Sequence, residues 1–365
     1  MAGIGSRGYR VRDWIVKQVA QGHLRAGDRL PTEGELAALL QVSPITVRRA
    51  LSHLASEGWL IRRRRAGTFL SQLPPELRQP ERAAIALLTS KLMGDQLGDF
   101  YLGSLYAGIQ QGVQQTGGSI IWLDYEACQK RDLVNSSRGA IAVAPPLYLL
   151  PWLRELQRQM PIVVLGADTR PWGIPCVDSD NRQAMRQAIN HLIEQGHRRF
   201  IGVFADQYAL NTQDRMRTFL MELARHNIPE SAAFLLLSQD TFHLDPHVND
   251  AVQGLLSLPK HERPTAVVGG GYYLAMAALQ LANRMRLDVP RQLSIVGFDD
   301  PPSAALTVPP MTTLQQPLYQ MGVEASELLQ SLLAKRQGVA CYRYLPMELI
   351  IRQTTASPEN GRGDP

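Results

Sequence analysis

Residues 22–71 read GHLRAGDRLPTEGELAALLQVSPITVRRALSHLASEGWLIRRRRAGTFLS. Thr32 followed three residues later by Glu35 makes a capping box, which opens a helix with Leu36, Leu39 and Leu40 turned inward. Ser43 caps the next helix, and Pro44 at its first turn gives up no hydrogen bond. Val47, Ala50, Leu51 and Leu54 recur at helical spacing as a buried stripe, and Gly58 stops the helix. Trp59-Leu60-Ile61 and Thr68-Phe69-Leu70 then flank a basic hairpin tip, Arg62-Arg63-Arg64-Arg65-Ala66-Gly67. Upstream, Val11, Trp14, Ile15 and Val19 share one face of an earlier helix. Three short helices and a basic hairpin are the expected fold of residues 9–71.

Charge says what such a module meets. The 365-residue chain has a formal net charge of +5. Residues 1–80 hold 13 Lys/Arg against 6 Asp/Glu, whereas the remainder holds 25 against 27. A basic module beside a near-neutral remainder suits a polyanion partner for that module alone. With its apolar stripe buried, the third helix presents Ile45, Thr46, Arg48, Arg49 and Ser52. The N-terminal end of such a helix is the part that enters a major groove. Arginine reads guanine edges or grips phosphate, and threonine does either less specifically. The Arg62–Arg65 run is placed for phosphates or a neighbouring minor groove.

This stretch resembles the winged helix of the GntR family. In order it carries that family's G-x-L-x-x-G-x-x-L-P-[ST]-E-x-E-L-A, V-S-x-x-T-V-R-x-A-L and L-x-x-x-G-x-x-x-x-x-x-x-x-G-T-F elements, over about 60 residues. The resemblance implies a DNA-contact set of Thr32, Glu33, Ser43, Pro44, Ile45, Thr46, Arg48, Arg49, Arg62, Arg63, Arg64, Arg65 and Gly67. Gly34, Pro44 and Arg65 depart from the family's usual Arg, Arg and Gly. The operator sequence therefore does not carry over from relatives.

Residues 72–81, QLPPELRQPE, have the composition of a semi-rigid linker. Beyond it, hydrophobic strand-like runs at 83–88, 119–123, 140–144, 162–166, 200–205, 265–270 and 293–298 alternate with helical periodicity, as at 181–195, 213–226 and 272–286. Repeated β-α-β units of this kind build parallel sheets covered on both faces. So many strands exceed one comfortable sheet domain, which predicts two α/β lobes with a cleft between them. The expected division is 1–71 for DNA binding, 72–81 as linker, 82–354 as a two-lobed sensing and dimerisation domain, and 355–365 as a flexible tail.

An open α/β sheet binds ligands at the carboxyl ends of its strands. Asp299 and Asp300 follow the strand LSIVGF, and Arg215 opens the helix after FIGVFA. An Asp acceptor and an Arg fork facing one cleft form a clamp for sugar hydroxyls or a carboxylate, or else an interlobe salt bridge.

DNRQAMRQAINHLIEQGHRRFIGVF (180–204), VPRQLSIVGFDD (289–300) and PPMTTLQQPLYQMGVEASELL (309–329) resemble the LacI/GalR effector domain, itself similar to periplasmic sugar-binding proteins. Joined to a GntR-type winged helix, it resembles the arabinose-operon repressors. The resemblance implies that Arg215 and Asp299 contact a small polar effector. Where that family usually has Asn-Asp, this chain has Gly271-Tyr272. The Tyr272 ring could stack on a sugar or aromatic effector, or fill a pocket that no longer binds sugar.

Other chemistries find no support. GGGYYL (269–274) lacks the last glycine of a dinucleotide fingerprint, and Pro246 breaks the helical spacing of His243 and His247. There is no G-x-S-x-G, H-E-x-x-H or P-loop. The three cysteines stand far apart, no apolar run reaches membrane-spanning length, and MAGIGSRGYRVRDW has no export-type apolar run. The expectation is a cytoplasmic, homodimeric regulator of transcription, a repressor rather than an enzyme. It would need no cofactor or metal, bind a double-stranded operator and a sugar-like effector, and have no membrane partner. The alternative is a regulator whose sensor domain has lost sugar binding, and serves for dimerisation or takes a non-sugar ligand.

Overall fold

The computed structural model describes residues 9–20, 23–25, 27–63, 66–71, 84–90, 100–115, 117–130, 137–205 and 208–359. The chain divides into two compact units, Met1–Arg82 and Ala83–Pro365. The linker expected at 72–81 lies outside the described residues.

The first unit is a three-helix winged fold: α1 (Tyr9–Ala20), α2 (Glu33–Leu40), α3 (Pro44–Ser56), β1 (Leu60–Arg63) and β2 (Gly67–Leu70). Local chemistry sets its boundaries. The Glu35 amide donates to Thr32 Oγ1 at 3.3 Å while the Thr32 amide donates to Glu35 Oε2 at 2.7 Å, which closes the capping box. The Thr46 amide donates to Ser43 Oγ at 3.2 Å, and Pro44 occupies the first turn of α3. Val11, Ile15, Leu36, Val47, Ala50, Leu51 and Leu54 meet in one core with Trp59, Leu60 and Leu70. Leu39, expected inward, is 59% exposed, and Ala37 takes the buried place beside Leu36. A helix of only eight residues presents a narrow buried stripe, so one of its three leucines faces outward. The wing is an antiparallel pair with Leu60 opposite Leu70 and Arg63 opposite Gly67. Residues 28–30 tie it to the body, through Leu30 N–H to Thr68 O at 2.8 Å and Leu70 N–H to Asp28 O at 2.9 Å.

The second unit holds two six-stranded sheets. In lobe 1 the order is β13-β7-β6-β5-β3-β4, with β3 (Ala84–Thr89), β4 (Ser119–Asp124), β5 (Gly139–Val143), β6 (Ile162–Leu165), β7 (Cys176–Ser179) and β13 (Tyr342–Leu345), all parallel. In lobe 2 the order is β14-β12-β11-β10-β8-β9, with β8 (Phe200–Ala205), β9 (Ala233–Ser238), β10 (Ala266–Gly269), β11 (Ser294–Phe298), β12 (Thr312–Gln315) and β14 (Glu348–Ile350). Only β14 runs antiparallel, against β12. The inner strands are buried on both faces, as a helix-covered parallel sheet requires, while the edge strands β4, β9, β13 and β14 are partly exposed. Lobe 1 carries α4 (Phe100–Gln114), α5 (Tyr125–Lys130) and α6 (Leu150–Gln157); lobe 2 carries α7 (Asn181–Glu194), α8 (Leu210–Arg225), α9 (Pro246–Leu256) and α10 (Tyr272–Arg284).

The chain passes between lobes after β7, after β12 and after β13. The second passage sends α11 (Leu318–Leu333) back onto lobe 1, where it lies backbone to backbone against α4. A Cβ at Gly108 would collide with the Tyr319 carbonyl, and one at Gly322 with that of Leu105. Among the described residues no helix is long and apolar enough to cross a membrane.

Residues 355–359 differ from expectation: instead of running free they stay bound to lobe 2, while residues 360–365 of the expected tail lie outside the described residues. Thr355 is buried with its hydroxyl 3.0 Å from His191 Nε2, and the Ala356 carbonyl lies 3.0 Å from His197 Nε2. The Glu359 amide donates to Arg291 O at 3.2 Å. Buried His197, half-buried His191 and the buried Ser294 hydroxyl need partners, and this segment supplies them.

Candidate functional sites: a nucleic-acid face and an interlobe cleft

The N-terminal end of α3 stands on the surface of the first unit. Thr32, Ser43, Pro44, Ile45, Arg48 and Arg49 are exposed, Ile45 at 77%. Thr46 is half-buried, and its hydroxyl lies 2.8 Å from that of Ser43. Glu33, the first residue of α2, organises the face. Its Oε2 accepts from Arg48 Nε at 2.8 Å and its Oε1 from Arg62 Nη2 at 3.4 Å. Arg62 Nη2 also donates to the Arg48 carbonyl at 3.3 Å. One carboxylate thus joins α2, the outer face of α3 and the first strand of the wing. Arg63 lies over the Phe69 ring at 5.1 Å. Gly67 closes the hairpin at φ +114°, where a side chain would be strained and would meet Arg29. Arg64 and Arg65 lie outside the described residues.

In lobe 2, Arg215 lies one turn into α8 and only 5% of it is exposed. Its Nε donates to Asn181 Oδ1 at 2.7 Å, Nη1 to the Gly270 carbonyl at 2.6 Å, and the guanidinium covers the Phe298 ring at 4.2 Å. All three partners are neutral. Asn181 is itself fixed, its Nδ2 donating to Asp178 Oδ2 at 3.2 Å and to Ser179 O at 3.1 Å. Burial pushes the Asp178 carboxyl up to about 8, against the opposing pull of the Ser179 amide and the Arg215 charge.

Asp299 follows β11 at φ +78°, and Asp300 at +44°. Two consecutive non-glycine residues in the left-handed region are strained, and such strain gathers at working sites. Asp299 Oδ1 accepts from Gln316 Nε2, and Gln316 Oε1 accepts from Ser179 Oγ at 2.7 Å. The ends of β7, β11 and β12 are thereby tied together. Asp300 serves the fold: Arg352 grips both its oxygens, at 2.6 and 3.1 Å, and Thr313 Oγ1 donates to it at 2.5 Å.

Gly271 caps α10 without a side chain, and a Cβ there would find Asp299 Oδ2 at 3.8 Å. The space above Asp299 is therefore open. Tyr272 departs from expectation. It is 4% exposed and packs among Val248, Val252, Leu279 and Met311 in the lobe 2 core, so its ring offers no stacking face. The first turn of α10 runs directly off the sheet end and carries the ring into that core. A polar cavity of about 240 Å³ adjoins the β7 crossover, lined by Asp168, Arg170, Asp178, Asn181 and Tyr344 among others. Arg215 and Asp299 do not line it, but Asp178 and Asn181, which hold Arg215, do.

Asn181, Ser179 and Gln316 are site residues that sequence reasoning misses. Their signal is faint: polar residues next to strand ends inside stretches otherwise apolar.

The chain matches known proteins in both units. Residues 8–70 match the bacterial regulatory proteins of the gntR family, and residues 189–355 a periplasmic binding protein-like domain. The chain is 29% identical over 362 residues to the "Arabinose metabolism transcriptional repressor" of Geobacillus stearothermophilus, covering 95% of this chain and 96% of that protein. It is 34% identical over 202 residues to the "HTH-type transcriptional repressor CytR" of Escherichia coli K12, covering 55% of this chain and 58% of that one. Among solved structures, a regulatory protein of LacI family from Chloroflexus aggregans superposes with TM-score 0.66 at 23% identity, over 75% of this chain and 99% of that one. These matches and the fold define a DNA-binding transcription regulator. Within that class, residues 8–70 carry a gntR-type helix-turn-helix, and the second unit has a periplasmic-binding-protein-like fold, the fold also seen in the solved LacI-family regulator.

Proposed function

We propose that this regulator is a cytoplasmic homodimer that represses transcription and is released by a small, neutral, sugar-like effector held between the lobes. It is a binding protein, without catalytic turnover. Two winged helices would read two half-sites of a near-palindromic operator, since two-fold protein symmetry matches two-fold DNA. On each winged helix Thr32, Ser43 and Pro44 to Thr46 would approach the groove and backbone. Arg48 and Arg49 would read bases or grip phosphate. Arg62 to Arg65 and Gly67 would form the wing contact, with Glu33 orienting the arginines. The observation that carries the sensor reading is Arg215: a buried guanidinium with neutral partners, on the same lobe as the Asp299 carboxylate. One fixed donor and one fixed acceptor suit hydroxyl groups. Gly271 leaves room over Asp299 that a side chain would fill, so the effector can carry extra bulk on that side.

The test is a thermal-shift series over aldopentoses and aldohexoses, L-arabinose included, followed by titration of any hit into a complex with the DNA upstream of the gene. A stabilising sugar that also releases the DNA is expected. If no sugar in the series stabilises the protein, the sensor reading fails. DNA binding stands or falls separately, on the same upstream fragment without sugar.

A further inference from the structure

The passages between lobes all leave from one side of the sheets, through β7 and β13 of lobe 1 and β12 and β14 of lobe 2. A second fastening stands further along both sheets, beyond β6 in lobe 1 and beyond β10 in lobe 2. Pro146, after β5, pairs with Ala209, after β8, as an antiparallel bridge, and the Leu147 amide donates to the Tyr208 carbonyl at 3.0 Å.

A side chain reinforces this backbone contact. Leu210 is the first residue of α8 and belongs by sequence to lobe 2, yet it packs within the apolar cluster of lobe 1 beside Leu149, Leu150 and Tyr125. Among the described residues of that cluster, it alone comes from lobe 2. It is 8% exposed, so separating the lobes would uncover it. Five residues on along the same rigid helix stands Arg215.

We propose that the Pro146–Ala209 bridge and Leu210 form a latch that holds the lobes closed without any ligand. Leu210 is then a positioning residue: it seats the first turn of α8 on lobe 1 and so sets where the Arg215 guanidinium stands in the cleft. No bound molecule is needed, because apolar burial and two backbone groups supply the attraction. An effector would meet a cleft already closed and act on that closed form.

The test reads the lobe distance in the ligand-free, full-length protein. Arg154→Cys on α6 and Gln253→Cys on α9 place exposed spin-label sites on the two lobes; Cys341→Ser removes the remaining accessible thiol, since Cys128 and Cys176 are buried. With labelled protomers diluted into excess unlabelled protein, so that each labelled dimer carries one labelled protomer, double electron–electron resonance should give one narrow distance distribution. Leu210→Asp should shift it to longer, broader distances, Leu210→Ala should do so in part, and Leu210→Met should restore the narrow form. Leu210→Ala keeps the test decisive if Leu210→Asp fails to fold. A broad distribution in the unsubstituted protein would overturn the latch. So would distances in the folded Asp or Ala variants that match the unsubstituted ones.

Discussion

Arg48 Nε lies 2.8 Å from Glu33 Oε2, so the most forward arginine of α3 is aimed by the first residue of α2. The pair is solvent-exposed and contributes little to stability. Its value is orientation, since a guanidinium held in one plane reads a base edge better than a free one. Glu33→Ala should therefore weaken operator binding by roughly 1–3 kcal/mol, the worth of one bidentate base contact. Binding to random DNA should hold or tighten, because a negative charge leaves a basic surface. Fluorescence anisotropy on operator and scrambled duplexes checks both directions.

The wing predicts a salt effect. Replacing Arg62 and Arg63 together by Ala should lower the slope of log affinity against log salt by about two, one for each phosphate left without its arginine. An unchanged slope would place the wing away from the DNA backbone.

Neighbouring aspartates should behave in opposite ways. Asp300→Ala strands Arg352 without its carboxylate and should cost roughly 3 kcal/mol in chemical denaturation. Asp299→Asn, which tolerates the same left-handed backbone and keeps an oxygen for Gln316, should leave stability nearly intact while abolishing the response of the DNA complex to effector. Arg215→Ala should also abolish that response without lowering effector-free operator affinity. Denaturation curves and DNA-release titrations on the three variants separate the roles.

Two buried groups set opposite pH trends. The Asp178 carboxyl, raised by burial to about 8, keeps its proton in the folded state where an unfolded Asp, near 3.9, has lost it. Its contribution is complete below about pH 4 and drains away as pH rises towards 8. Asp178→Asn should accordingly gain stability relative to the unsubstituted chain across that interval. Burial lowers His197 to about 4, and it is neutral between the Thr265 hydroxyl and the Ala356 carbonyl. Its contribution is present above about 6.5 and is lost as pH falls to 4. Unfolding of the unsubstituted chain, Asp178→Asn and His197→Gln in urea at pH 5 and 8 resolves the two.

Much of the fold is legible in the sequence because it rests on local chemistry. The capping box at Thr32, the Ser43 cap and the α3 stripe are short-range patterns, and all three form in the folded chain. The seven hydrophobic runs are β3, β4, β5, β6, β8, β10 and β11. Strands that no such run marks, such as CVDS at β7 and TTLQ at β12, are short and polar and end at the lobe junction, where Ser179 of β7 bonds to Gln316, the residue after β12. Tyr272 is misleading in sequence, which places it after a strand end without saying which way the first turn of α10 faces. Asn181 reaches the site through Arg215, 34 residues away, and Gln316 through Asp299, 17 away, and Ser179, 137 away, relations no local pattern encodes.

The return of α11 and β13 to lobe 1 has a bearing on how the protein is made. The winged helix has all its residues once Ser71 has left the ribosome, and it can fold at once from contacts close in sequence. Lobe 1 cannot. Its first strand appears next, but its sixth, β13, and the helix that locks onto Gly108 arrive only after residue 317, when lobe 2 is nearly complete. Through most of translation a finished DNA-binding domain is tethered to an open-edged sheet. A nascent chain stalled before residue 318 should bind DNA yet be exposed to chaperones and proteases, and incapable of control by any effector.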